Sequence, residues 1–505
     1  MKERKMGMML RTAIPAVIGG TVLACGNMIG AGNHFAMAVL LIALAVVLYF
    51  YAVFVLAGKN WIDLRAVFSG VWIATIGFAA LRLTEYQEPW QDKTWLLLGI
   101  AYGVFMLGAT AGVTCGKKLL PAVLKKIKAA RMRRFCLHLQ EGRLFWICVI
   151  TTLIGFACFV ANVMIRGFIP CFTVSGSNEY YNFYTKFYVF AVAATGISGL
   201  CYYCLKTQKN SIIRKLVLLL CIFYSTFAFP ILVVSRGTFV TSALSLATVV
   251  FYLHRRNLLV LIACLAVILG VYYAASQLRG YTDAQLQGFF EPAVITKPVD
   301  SSEITLFPEV ALSPEFTPHL ETAQPPEEPA PSTTEPASPE MPAFQLPPKL
   351  AFLYSYLTVG HDNFNEAVQN TVGYTYGARQ LSPFNVILRS EKIAQTIASG
   401  EYYLVRNHLN TVNFIGGFYY DLHGAGVVAF MLLWSVVFGV MQASCDVFHG
   451  PFSLMMMGNT MTPVALCFFT SWMSVFSHWM HWGTVLLLAL AACITRRPAA
   501  ECFKA

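Results

Sequence analysis

Twelve apolar stretches constrain this chain more than anything else in it. They lie near residues 12–30, 34–57, 66–83, 94–114, 145–164, 187–205, 216–234, 238–253, 257–276, 424–443, 455–475 and 480–495. Apolar segments of about 17 to 25 residues suffice to cross roughly 30 Å of hydrocarbon as helices. Inside that medium every backbone N–H and C=O must find its partner within the protein. Composition agrees: 57% of residues are hydrophobic, 12% are charged, and the mean hydropathy is +0.60, beyond the usual range of a soluble domain. The expected fold is an all-α polytopic membrane protein with about 12 transmembrane helices. No small-residue cleavage site follows the opening MKERKMGMMLR before the second span, so a cleaved signal peptide is not expected.

Lysine and arginine set the expected orientation, because cytoplasmic loops retain positive charge. With the N-terminus inside, the segments 1–11, 58–65, 115–143, 206–215, 254–256 and 496–505 hold 24 of the 36 basic residues. Both termini are then cytoplasmic. The strongest contribution is the run Lys117, Lys118, Lys125, Lys126, Lys128, Arg131, Arg133 and Arg134, read as a cytoplasmic loop touching anionic lipid headgroups. Nucleic acid is not an expected partner, and the net charge of +11 is mainly a topology signal. The cysteines read as small apolar packing residues, since only Cys171 of the fourteen falls clearly in an outer loop.

The chain divides into a nine-helix membrane portion (1–276), an extracytoplasmic loop with a Pro- and Glu-rich flap (277–348), extracytoplasmic amphipathic helices (349–410) and three C-terminal membrane helices (411–505). The flap, PPEEPAPSTTEPASPEMPAFQLPP at its richest, carries too little apolar surface to offset the entropy of ordering and is expected to be disordered. The segments KLAFLYSYLTVGHDNFNEAVQNTV and SPFNVILRSEKIAQTIA read as helices folded over the outer mouth of the bundle. In the second, Ser382 is the expected N-cap and Pro383 the first helical residue.

Chemistry concentrates in residues 401–426, EYYLVRNHLNTVNFIGGFYYDLHGAG, which place Arg406, His408, Asn413, Tyr419, Tyr420 and Asp421 at the entry of a span. Polar and ionisable groups at such depth are costly and usually functional. Arg236, Arg279, Arg379, Arg389 and Arg406 fall on the expected outer side, with Arg166 closing the fifth span. Snorkelling or a structural ion pair explains any one of them. Several converging from separate segments suit an anion, because the guanidinium fork matches phosphate oxygens. His361 stands beside Asp362, which could orient its imidazole for proton transfer; a surface helix histidine is the plainer reading. Asp421 either handles a proton or pairs with an arginine. His478 and His481 share a helix face but lack an evident third ligand, so no metal is expected. No phosphate-binding loop, dinucleotide fingerprint, H-E-x-x-H or Asp-x-Asp occurs, which disfavours a nucleotide-driven pump and a cytoplasmic nucleotide-sugar transferase.

Four segments resemble the bacterial oligosaccharide repeat unit polymerases, the O-antigen or Wzy-type polymerases: IRGFIPCF (165–172), VVSRGTFV (233–240), YLTVGHDNFN (356–365) and, above all, NTVNFIGGFYYDLHGAGVVAF (410–430). The last is similar to that family's asparagine, aromatic pair, aspartate and glycines entering a helix. Where the family commonly has Asp-Phe-Gly, this chain has Asp421, Leu422, His423 and Gly424. The similarity in architecture spans about residues 140–495, and the first four spans share only hydropathy.

The resemblance implies a GT-C-like, inverting, metal-independent glycosyltransferase without cofactor, in the bacterial cytoplasmic membrane and acting at the outer leaflet. It implies undecaprenyl-diphosphate-linked glycans as substrates, membrane lipids as surroundings, and a chain-length regulator and a flippase as further partners. Arg236 and Arg279 would hold the donor diphosphate, with Arg389 and Arg406 as second choices. Asp421 or His361 would take the acceptor proton, and Asn413, Tyr419 and Tyr420 would line the sugar site. An O-antigen ligase-type transferase would share this donor and architecture. A lipid-linked oligosaccharide flippase would instead show inverted repeats and charge near the midplane, which the sequence lacks. A receptor has only the acidic flap in its favour.

Overall fold

The computed structural model describes residues 2–30, 33–84, 86–131, 141–173, 183, 185–208, 211–254, 256–278, 346–398, 403–406, 409 and 411–493. The flap and Arg279 therefore lie outside the described residues, as does His408. Within them all regular structure is helical. Eight helices are long and apolar enough to cross a membrane: Gly7–Ala24, His34–Leu56, Asp92–Val123, Gly142–Arg166, Lys186–Thr207, Ile212–Leu232, Arg236–Leu253 and Gly416–Phe448. Leu64–Ala80 and Leu258–Val271 are shorter apolar helices. Large apolar side chains including Val17, Phe35, Ile150, Leu153, Leu219, Leu259, Leu433 and Leu487 are exposed, an arrangement that only a hydrocarbon surround makes favourable. The chain is a polytopic helical membrane protein.

A central pair of helices, Asp92–Arg131 and Gly416–Phe448, packs along a seam of small residues. Gly108, Gly112 and Gly116 face Ser435, Gly439 and Ala443, each set repeating every four residues. A Cβ on Gly112 would run into the Val436 carbonyl, and one on Gly439 into the Ala109 carbonyl. Lipid tails are as apolar as leucine, so such close backbone approach supplies much of the association between helices in a membrane. At one end of this pair Asp63 and Arg65 form a buried bidentate ion pair at 2.8 and 2.9 Å. Gln442 donates to the same carboxylate and accepts from Leu64 N at 2.9 Å, which ties the Leu64–Ala80 helix to the C-terminal half of Gly416–Phe448. Nearby, Lys117 and Arg256 both pair with Asp446.

The other end is built differently, around the helix Pro348–Asn370. Residues 358–365 of this helix are all buried, so it is not an amphipathic cover laid over the bundle as its sequence suggests. It is inserted among the Leu64–Ala80 helix, the 86–91 loop and residues 403–406, 409 and 411–415, and its polar side chains radiate to each of them. The expected span over 455–475 is also corrected. Helix Pro451–Ala465 ends there, a turn and the short 3-10 segment Trp472–Ser474 follow, and Phe476–Cys493 begins a new helix. The break is held by tertiary hydrogen bonding, since Phe414 N donates to the Cys467 carbonyl at 2.7 Å and Trp472 Nε1 to the Leu466 carbonyl at 3.1 Å. Non-helical backbone in such an apolar stretch persists only where protein supplies the partners.

Candidate functional site

The sequence GHDNFN places four polar residues on consecutive faces of one helix, and each finds a different neighbour. His361 is fully buried, with Nε2 3.0 Å from Thr75 Oγ1 and Nδ1 3.1 Å from Asn413 Nδ2. With the Asn413 amide so oriented, Nδ1 accepts and Nε2–H donates to Thr75, whose hydroxyl donates to the Val71 carbonyl at 2.8 Å. Burial lowers the His361 pKa to about 3, so the ring is neutral. Asp362 does not orient this imidazole, contrary to expectation; it accepts from Trp90 Nε1 at 2.9 Å and Gln87 Nε2 at 3.0 Å. Adjacent helix positions diverge by about 100°, which sends the two side chains to different partners. Burial raises the Asp362 pKa to about 7 against the pull of those two donors. Asn363 donates to the Leu409 and Thr411 carbonyls and accepts from Val405 N at 2.8 Å. Asn365 accepts from Gln91 N and Thr94 Oγ1 at 3.1 and 2.8 Å.

Through Asn363, Gly360 and His361 this helix fixes the segment that leads to Asp421. Asn413 N donates to the Gly360 carbonyl at 3.0 Å, and Gly416–Phe448 begins three residues later. That helix breaks at Leu422 and His423, whose φ/ψ are −145°/24° and 49°/−138°. The carbonyls just before the break are engaged from outside the helix: Thr375 N donates to Tyr420 O at 3.0 Å and Tyr376 N to Asp421 O at 3.1 Å. The Asp421 carboxylate accepts from Thr375 Oγ1 and Arg379 N through Oδ1, and from Gln380 N at 3.2 Å through Oδ2.

Asp421 thus caps the helix Ala378–Leu388 from across the fold, favourably placed at the positive end of its dipole. This corrects the expected helix start. The helix begins after Gly377, in the left-handed region at φ 85°, four residues before Ser382. Pro383 sits inside it. The proline has no N–H for the Arg379 carbonyl, and Ser382 Oγ donates there instead, at 2.8 Å.

The arginines gather unevenly. Arg379 is buried, its guanidinium carbon 4.1 Å from the Tyr420 ring centroid; burial lowers its pKa to about 10, opposed by Tyr420 and Asp421. Arg236 is the first residue of its helix, capped by Ser235. Its Nη2 donates to the Tyr356 hydroxyl at 2.7 Å and its guanidinium lies 5.1 Å from that ring, which stacks on Phe469 of the 466–475 break. Arg406 is buried, and its Nε has no hydrogen-bond partner among the described residues. Arg389 is exposed, at the left-handed C-terminus of Ala378–Leu388. Tyr419 is buried, receives a hydrogen bond from Lys93 Nζ at 2.8 Å and stacks on His423.

Asp421, Tyr420, Tyr419, Asn413, His361 and Arg406 are thereby brought to one end of the bundle, and Arg236 is held against Tyr356 of the Pro348–Asn370 helix that carries His361. Thr375 and Gln380 join the site without having been singled out in the sequence, and Lys93 enters through Tyr419. Gln380 donates to Ser474 Oγ at 3.1 Å, reaching the broken segment. No local pattern marks them; their roles come from the kink and its neighbours. Among the described residues no group of three or more His, Cys, Asp or Glu side chains is placed to hold a metal ion. His481 Nε2 lies 3.0 Å from the Val192 carbonyl, and His478 packs against Trp472 and Trp482. Comparisons with family models, with curated proteins and with solved structures find no match to this chain.

Proposed function

We propose that the protein is a glycosyltransferase that joins undecaprenyl-diphosphate-linked oligosaccharide repeat units into a surface polysaccharide at the outer leaflet. The observation that carries this reading is the burial of Arg236, Arg379 and Arg406, from three separate segments, at the end of the bundle where Asp421 enters its helix. Guanidinium groups brought from separate segments to one end suit a diphosphate, whose oxygens match their planar forks. The reading rests equally on the resemblance of residues 410–430 to repeat unit polymerases. It includes a GT-C-like arrangement and cytoplasmic termini in a bacterial inner membrane.

In this proposal the acceptor hydroxyl attacks the anomeric carbon from the face opposite the diphosphate. The carbon–oxygen bond to phosphate breaks, its electron pair leaves with undecaprenyl diphosphate, and the configuration inverts. Arg236, together with Arg279 outside the described residues, stabilises the leaving charge; Arg406 and Arg389 are secondary. Hydrogen-bond donors fixed in advance where charge develops commonly lower the barrier of such a step more than any other single effect. Asp421 is the better base of the two candidates. Both His361 nitrogens are engaged, whereas Asp421 Oδ2 accepts only Gln380 N among the described residues and a carboxylate oxygen has room for two donors. Tyr419, Tyr420 and Asn413 line the sugar site. The metal-independent chemistry needs no cofactor, because the sugar diphosphate bond carries the energy.

Deleting the gene and following polysaccharide length tests the assignment. A single repeat on its normal anchor is the expected result. Accumulated lipid-linked polymer would instead indicate a ligase-type transferase, and repeat units trapped at the inner leaflet a flippase. Restoring Arg236→Ala should leave long-chain product reduced by roughly 10² or more; stable variant protein with unchanged chain length would sink the proposal.

A further inference from the structure

Two tyrosines beside Asp421 are displayed in a way that packing does not explain. Tyr376 is 76% exposed and Tyr374 is 47% exposed, with ring centroids 5.7 Å apart at 41°. Tyr376 adopts a left-handed backbone with φ 47°, a conformation unfavourable for a bulky side chain and one that persists only where the surroundings enforce it. Here they do. Thr375 and Tyr376 donate their backbone N–H groups to the Tyr420 and Asp421 carbonyls, and Thr375 Oγ1 donates to the Asp421 carboxylate. His423 supports the platform from beneath, 4.2 Å from the Tyr374 ring and 3.1 Å from the Gly373 carbonyl. The Thr375–Tyr376 backbone beneath the rings is thus fixed to the two residues that immediately precede the helix break.

We infer that Tyr374 and Tyr376 form a stacking platform for a pyranose ring of the substrate glycan, on the turn that covers Asp421. The inference rests on the glycosyltransferase reading and adds a glycan subsite to it. A sugar ring presents an apolar C–H face to an aromatic ring and hydroxyls at its edge. The surroundings offer both kinds of contact: the exposed rings, and the polar side chain of Lys93, which reaches Tyr419 beside His423. Aromatic rings at a membrane surface also anchor proteins among lipid headgroups. A lipid anchor has no need of a turn whose backbone is held by hydrogen bonds to the Tyr420 and Asp421 carbonyls, and that coupling favours the glycan.

The test uses the full chain in lipid nanodiscs and, as probes, oligosaccharides of one to four repeat units released by mild acid from the source cell's own polysaccharide. Binding is read by saturation-transfer NMR and titration. The double variant Tyr374→Ala, Tyr376→Ala should bind at least tenfold more weakly, while Tyr374→Phe, Tyr376→Phe, which keeps both rings, should stay within about threefold of wild type. The Phe variant should unfold at the wild-type temperature and the Ala variant close to it, since Tyr376 is 76% exposed and Tyr374 47% exposed. Probe binding that is equally strong after loss of both rings overturns the platform and leaves the glycosyltransferase reading standing. The same result with weakened association to anionic vesicles assigns the tyrosines to the lipid surface instead. Wild-type protein that binds none of the probes overturns the platform, and if chain length is also normal in the deletion strain the parent reading falls with it.

Discussion

His361 and Asp362 are adjacent, both buried, and both prefer to be neutral, with opposite consequences for stability. Asp362 is raised to about 7, so between about pH 4 and pH 7 the folded protein holds a proton that the unfolded chain has released. Its stabilising contribution is complete below pH 4 and is lost as pH rises towards 7. His361 is lowered to about 3. Below about pH 6.5 the unfolded chain takes a proton that the folded protein refuses, so this contribution is lost as pH falls. From about pH 4 to 6.5 the two slopes, each at most about 1.4 kcal/mol per pH unit, oppose one another. Removing one partner should unmask the other. His361→Gln should lose stability as pH rises through that window, and Asp362→Asn should gain it, measured by unfolding of the purified protein in detergent at three pH values. Parallel profiles for the two variants would refute the assignment. None of this was legible in GHDNFN, where the pair suggests a charge relay; burial and the divergence of adjacent helix positions separate the two residues.

Elements at the site are held by contacts that tolerate no added atom. A Cβ at Gly360 would collide with the Phe468 carbonyl and stand 3.2 Å from Asn413 N, the contacts that join the Pro348–Asn370 helix to the 466–475 break and to the approach to Asp421. Gly360→Ala should therefore cost about 1–3 kcal/mol through overpacking and loosen the site. Gly237→Ala, with nothing within 4 Å of its Cβ, should be neutral or stabilising by up to about 1 kcal/mol. Thermal unfolding of the two variants side by side decides it, and equal midpoints would mean that the contact is dispensable. Helices were readable from hydropathy because apolar length is a local property. The break after Ala465 was not, because that stretch stays apolar and its backbone partners come from Phe414 and from its own folded turn. The true start of Ala378–Leu388 was hidden for a similar reason: its cap is Asp421, supplied from another segment. The Gly108, Gly112, Gly116 spacing was open to reading as a helix seam, and it locates the central pair.

At the scale of the whole molecule the basic side chains are distributed differently at the two ends, though each end has both buried and exposed ones. The Asp446 end bears Lys117 and Arg256 in ion pairs that are partly exposed, and Lys118 and Lys125 continue outward from the same helix. The Asp421 end buries Arg236, Arg379 and Arg406. Exposed lysines belong on the cytoplasmic side. Buried arginines are exempt from that rule, because they sit inside the protein and not at the membrane surface. Under the proposed orientation, the arginines that looked like exceptions in the sequence need no exception: these three cations are interior groups of the candidate site. This orientation predicts the outcome of labelling with a membrane-impermeant maleimide in right-side-out spheroplasts, with wild type as background for the native cysteines. Val372→Cys, at a residue 88% exposed near Asp421, should react in intact spheroplasts. Lys118→Cys, on the exposed surface of the opposite end, should react only after lysis. The reverse pattern would put Asp421 and its arginines on the cytoplasmic side, where a donor already carried to the outer leaflet could not reach them.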